Sequence, residues 1–206
     1  MRRFAFILIS LTAACVYAAQ SVKTVNGLAI ASVKTMSDLA IANVKNVDGL
    51  DNTSGGGVST SYANTGGTGD RTGIITITEN ITYGTGDGPK LINGVISATN
   101  CYWVSAGSNS TLNLQFDFGS GKVIDEAKWY QSHAVSHGTW QWEGSNDASS
   151  WTAIGSTFDL GGSAGTETLT TLSGNTTSYR YYRLHGISGN VSSGPWLYEI
   201  EFKISS

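Results

Sequence analysis

The sequence predicts an all-β protein, a β-sandwich carried behind a short-repeat segment and a flexible linker. Strand-like segments bounded by Gly, Ser, Asn and Asp follow one another through the second two-thirds of the chain. Only 13% of the 206 residues are charged while 26 are Gly, so Ser, Thr and Gly cover the surface in place of the charges that a helical protein carries. Beyond the N-terminal repeats, no Gly-free stretch longer than about ten residues keeps a helical apolar period.

The first residues predict a compartment. Met1-Arg2-Arg3 is a short basic start, residues 4–11 are apolar, and Val16-Tyr17-Ala18 sets tolerable side chains at a cleavage site. The apolar run falls short of the roughly 20 residues that span a bilayer. The expectation is a signal peptide over 1–18, a secreted or surface-displayed product, and no transmembrane anchor. Cleavage there removes Cys15 and leaves Cys101 beside Tyr102 and Trp103, where it reads as a small buried hydrophobe.

The next segment repeats itself: SVKTVNGLAIA at 21–31, SVKTMSDLAIA at 32–42 and NVKNVDGL at 43–50, a period of 11. As a helix, Val22, Val25, Ala29, Val33, Met36, Ala40, Val44 and Val47 would form the seam of a right-handed coiled coil. As strands, Asn26-Gly27, Ser37-Asp38 and Asp48-Gly49 would be turns. Val and Ile at most apolar positions, and glycines that would each cost a helix roughly 1 kcal/mol, favour short β elements. Neither form buries its apolar stripe alone, so residues 19–52 are expected to oligomerise or attach. This repeat resembles short repeats near the N-terminus of phage tail and appendage-type proteins.

Residues 53–70 are rich in Gly, Ser and Thr without apolar periodicity and read as a flexible linker. The remaining residues, 71–206, carry eight candidate strands: 73–82, 111–118, 123–130, 138–143, 150–154, 166–172, 179–184 and 196–204. Alternation is clean in 112–118 and 197–204, so each should have one core face and one wet face. Trp151 is expected to cap the sandwich interior, and strand alternation in 179–184 is read with Tyr181 inward and Tyr182 outward.

Four strings occur in order: LNLQFDFG at 112–119, WEGSNDASSW at 142–151, YRYYRL at 179–184 and LYEIEF at 197–202. Together they resemble the landmarks of a discoidin domain, the coagulation-factor C-type, galactose-binding-like jelly roll, over about 72–204. The sequence departs from that pattern at Ala148, where the family usually has Gly, and at Asn93-Gly94, where it often has Asp-Gly. The resemblance implies a jelly-roll β-sandwich and a structural calcium ion near Asn93, Thr99 and Glu199, weakened by the missing aspartate. It also implies carbohydrate binding by loops at one end of the sandwich, which need a flat aromatic face and a few fixed polar groups. Tyr130, His133, His137 and Trp196 are the candidate ligand-binding residues.

Other chemistry is poorly supported. His133 and His137 are four apart, a zinc-binding spacing only on a helix, and no Glu lies between them. The carboxylates show no pairing of the kind glycosidases use. Lys and Arg number 12 against 15 Asp and Glu, net −3, and no basic run exceeds Arg2-Arg3, which excludes nucleic acid as a partner. The sequence therefore points to a non-catalytic carbohydrate-binding or adhesion protein, displayed as a homo-oligomer on its repeats. The alternative is a structural subunit of an extracellular filament or phage-like appendage that binds no sugar.

Overall fold

The computed structural model describes residues 58–104, 108–162, 165–191 and 194–206, with backbone alone at 166–168, and the backbone of six short strands among residues 24–51. The chain divides into two units, Met1–Gly57 and Val58–Ser206.

In the first unit β1 (Thr24–Val25) pairs antiparallel with β2 (Leu28–Ala29), β3 (Thr35–Met36) with β4 (Leu39–Ala40), and β5 (Asn46–Val47) with β6 (Leu50–Asp51). Each pair brackets two residues, the spacing of a tight hairpin. The dipeptides 26–27, 37–38 and 48–49 lie outside the described residues, as does the leader.

The second unit is a sandwich of two antiparallel sheets. One holds β14 (Thr152–Asp159), β13 (Thr139–Ser145), β16 (Tyr179–Ser188), β11 (Asn113–Lys122) and β8 (Thr76–Glu79) in that order. The other holds β15 (Thr166–Leu169), β12 (Ile124–Gln131), β17 (Leu197–Ser205) and β7 (Thr60–Ser61). From β11 to β17 the chain crosses between sheets at most connections, as in a jelly roll. A small pair, β9 (Tyr83–Thr85) with β10 (Tyr102–Trp103), lies beside them. Among the described residues no helix is long and apolar enough to cross a membrane.

Period-two alternation builds the core. Leu114, Phe116 and Phe118 of β11 face inward with Trp140 and Trp142 of β13 and Leu184 of β16, against Trp129, Ile200 and Phe202 of the other sheet. Phe116 and Phe202 meet edge to face across the sandwich at 5.1 Å. All eight predicted strands are present. Register corrects two side chains: Tyr182 lies opposite inward Phe116 and is fully buried, while Tyr181 lies opposite Asp117 on the outer face. Trp151 does not cap the interior. It shares parity with Ala153, which pairs with Glu143 on the outer face, and Arg183 stacks on its ring at 4.0 Å.

The folded unit also begins earlier than the composition implied. Thr60–Ser61 pairs with the end of β17, and Gly67 accepts the Phe202 N–H at 3.0 Å. A Cβ at Gly67 would lie 2.2 Å from the Tyr62 carbonyl oxygen, so only Gly lets the chain pass this close. Residues 58–70 are therefore part of the sandwich edge.

Candidate functional site

Strand direction brings the described parts of four connections to one end of the sandwich: residues 104 and 108–112, 132–138, 160–162 and 165, and 189–191 and 194–196. Backbone bonds stitch them together. Asn109 N–H donates to Gly189 O, His137 N–H to Leu160 O, Leu160 N–H to Gly138 O, and Gln131 N–H to Gly165 O. The Asn109 amide adds a bond to His137 O at 3.1 Å.

Beneath this end lies Gln131, 2% exposed. It shares inward parity with Trp129, so a polar residue stands at a core position and must be satisfied there. Its Nε2 donates to His133 O at 2.8 Å, Val135 O at 3.2 Å and Gly161 O at 2.8 Å, holding two loops by their carbonyls. Its Oε1 accepts Trp129 Nε1–H at 2.8 Å and His137 Nε2 at 3.1 Å. The amide nitrogen faces carbonyls, so the oxygen must accept and His137 carries its proton on Nε2. A polar residue at an inward position beside Trp129 is the signal that identifies Gln131.

Of the four predicted ligand-binding residues, His133 and Trp196 come together. Trp196 N–H donates to Ser132 Oγ at 3.0 Å, Ser132 N–H donates to Trp196 O at 2.9 Å, and Ser132 Oγ bonds His133 Nδ1 at 2.8 Å. His133 is exposed, and half-buried Trp196 packs edge to face on Tyr102 at 5.0 Å between centroids. Tyr102 and Ser132 complete this corner. Tyr102 was legible only as the neighbour of Cys101, and Ser132 as the neighbour of a loop histidine.

Tyr130 and His137 stand elsewhere. Tyr130 belongs to β12, not to a loop, and lies on the outer face of the four-stranded sheet, donating to Glu201 Oε2 at 2.7 Å. Burial and the Glu201 carboxylate push its phenol up to about 12. His137 is 1% exposed and packs edge-on to Trp103 at 5.0 Å, so its ring offers no face to a ligand. Burial pulls the imidazole down to about 4, and Nδ1 has no hydrogen-bond partner.

Each residue implied for calcium is already hydrogen-bonded within the protein. Glu199, 1% exposed, is ion-paired to fully buried Arg71 through Oε1 and accepts Gly94 N–H at 2.9 Å through Oε2. Asn93 Oδ1 accepts Val95 N–H at 2.9 Å, and the exposed Thr99 hydroxyl bonds Ser97 Oγ at 3.0 Å. Among the described residues no three His, Cys, Asp or Glu side chains are grouped to hold a metal. With Glu199 committed to Arg71 and Gly94, the residues implied for calcium offer it no free carboxylate, and in this they do not fit the ion.

Residues 104–112, 132–138, 160–165 and 189–196 contain no Lys or Arg. Cys101 is buried, and its thiol is pushed up to about 12 by that burial, which leaves it inert.

No family model matches the chain, and no curated protein matches it in sequence. Solved structures do. The chain is similar to the family 32 carbohydrate-binding module of C. perfringens NanJ in complex with galactose, at 12% identity and a TM-score of 0.49 over 66% of this chain and 97% of that one. It is similar to a second Clostridium perfringens module, CpGH89CBM32-5 in complex with GalNAc-beta-1,3-galactose, at 15% identity and a TM-score of 0.49 over 66% and 97%. It is also similar to chitosan-binding module 1 of a chitosanase/glucanase from Paenibacillus sp. IK-5, at 23% identity and a TM-score of 0.45 over 63% and 94%.

Proposed function

We propose that the sandwich is a non-catalytic carbohydrate-binding module of a secreted or surface-displayed protein, and that its loop end takes a neutral glycan. One observation carries the reading: an aromatic pair, Tyr102 and Trp196, is tied through Ser132 to the exposed ring of His133. Sugars are held by an aromatic face that covers their C–H groups and by fixed polar groups that read their hydroxyls. Loops without Lys or Arg offer no guanidinium or ammonium to a carboxylate or sulfate, so neutral sugars are favoured over anionic ones. The test is a glycan array probed with the whole chain and with Trp196→Ala. The expected result is binding to neutral glycans that the substitution abolishes; a folded protein that binds no glycan overturns the reading.

The three strand pairs of the first unit, repeating every 11 residues, favour a role in assembly. We read residues 19–52 as the element that makes the protein a homo-oligomer, which would multiply a weak single-site affinity by about 10²–10⁴. Sedimentation of the chain with and without these residues tests it. Assemblies that collapse to monomers on deletion, with no glycan bound by either form, would favour a purely structural filament subunit.

A further inference from the structure

The polar cluster between the 88–100 segment and β17 is rich in oxygen and is filled by the protein's own nitrogens. Lys90 O, Tyr198 O, Val95 O and Asn93 Oδ1 converge on Asn100 Nδ2 at 2.5, 2.5, 3.2 and 3.4 Å. An amide nitrogen has two hydrogens, so four oxygens exceed what it can satisfy; such a set is the surrounding of a cation. The amide orientation is fixed because Asn93 Nδ2 donates to Asn100 Oδ1 at 3.1 Å, and the flipped amide would turn its oxygen onto three carbonyls. Asn100 is 6% exposed.

One residue along the chain on either side lies the second nitrogen. Gly94 follows Asn93 and Glu199 follows Tyr198, and there Glu199 binds both Gly94 N–H and Arg71. Arg71 further donates from Nε to Gly69 O and from Nη1 to Gly67 O, each at 3.0 Å. Burial lowers its guanidinium to about 10, so it is charged at neutral pH. The carboxylate that would attract a divalent ion is thus already neutralised by an internal cation, which would repel that ion.

We propose that the Asn100 amide and the Arg71 guanidinium are built-in substitutes for a structural divalent cation, tying residues 67–71 and 88–100 to β17 and making the fold independent of calcium. The experiment is thermal melting of the full chain in EDTA and in excess calcium chloride, for the wild type and for Asn100→Asp. The wild type is expected to melt at one temperature in both. Asn100→Asp places a carboxylate among the four oxygens; it is expected to melt lower in EDTA and to recover roughly 5–10 °C in calcium at about a hundredfold its dissociation constant. A wild type that gains that much from calcium overturns the proposal. So does an Asn100→Asp variant that melts alike in both, because the oxygens then do not form a cation-shaped cage. If Asn100→Asp does not fold, the wild-type comparison decides alone.

Discussion

Trp196 and Ser132 exchange two hydrogen bonds, Trp196 N–H to Ser132 Oγ at 3.0 Å and Ser132 N–H to Trp196 O at 2.9 Å. They join the β12–β13 connection to the β16–β17 connection, and the same hydroxyl holds His133. Ser132→Ala keeps the Ser132 N–H bond and loses the other two. Glycan affinity is expected to fall roughly three- to tenfold, with a change of melting temperature of only a few degrees. Titration calorimetry of this variant reads the effect; affinity equal to wild type would remove this corner from the binding site.

Acid should loosen the loop end through His137. Its folded imidazole titrates at about 4 because burial disfavours the charged form, and its neighbours Gln131, Trp103, Trp129 and Trp140 are uncharged. The unfolded chain takes up this proton near pH 6.5, the folded one only near 4, so stability is full above 6.5 and is lost as pH falls through that window. The loss below pH 4 is about 3 kcal/mol. Urea unfolding between pH 7 and 4 measures it, and His137→Gln, which keeps a donor for Gln131 but does not titrate, is expected to flatten the profile across that range.

What the sequence disclosed follows from the physics of strands. Long alternating segments such as 112–118 reported both their existence and their inward residues, because parity is redundant over seven positions. The pair Tyr181 and Tyr182 carries no such redundancy: two like residues side by side leave parity open until Phe116 and Asp117 set the register. Thr60–Ser61 is too short to show a period, and Gly67, which serves close approach to Tyr62 and Phe202, resembles a linker glycine. His133 and Trp196 were legible as polar and aromatic loop residues. His137 in the same loop turns inward because Gln131 claims its ring and Leu160 its N–H, long-range bonds that no local pattern contains.

The turn from Ser145 to Ser150 stores a small strain. Ala148 has φ 56°, the left-handed region where a Cβ is disfavoured by about 1 kcal/mol. The turn persists because Asp147 Oδ1 accepts Ser149 N–H at 2.8 Å and Ser150 N–H at 2.7 Å, bonds that also hold the Asp147 carboxyl down at about 2. Ala148→Gly is expected to stabilise the protein by about 0.5–1 kcal/mol, the relief exceeding the entropy that Gly adds to the unfolded chain. A urea midpoint at or below that of wild type would show that the turn does not strain Ala148.

The buried tyrosine of β16 gives a sharper test of register. Tyr182 Oη donates to Lys122 O at 2.7 Å and accepts Ile124 N–H and Asn175 Nδ2 at 3.2 Å each, closing the β11–β12 corner from β16, the neighbour of β11 in its sheet. Tyr182→Phe keeps the ring packed on Phe118 but leaves the half-buried Lys122 carbonyl and the buried Ile124 N–H short of a partner, which costs about 1–3 kcal/mol. Tyr181, half-buried on the outer face, makes its ring contact with Arg180 at 4.8 Å, so Tyr181→Phe keeps that contact and should stay within about 0.5 kcal/mol of wild type. Equilibrium unfolding of the two variants side by side checks the assignment. Equal losses, or a larger loss at Tyr181, would mean that β16 pairs with β11 in the other register and that the hydroxyl closing the corner belongs to its neighbour.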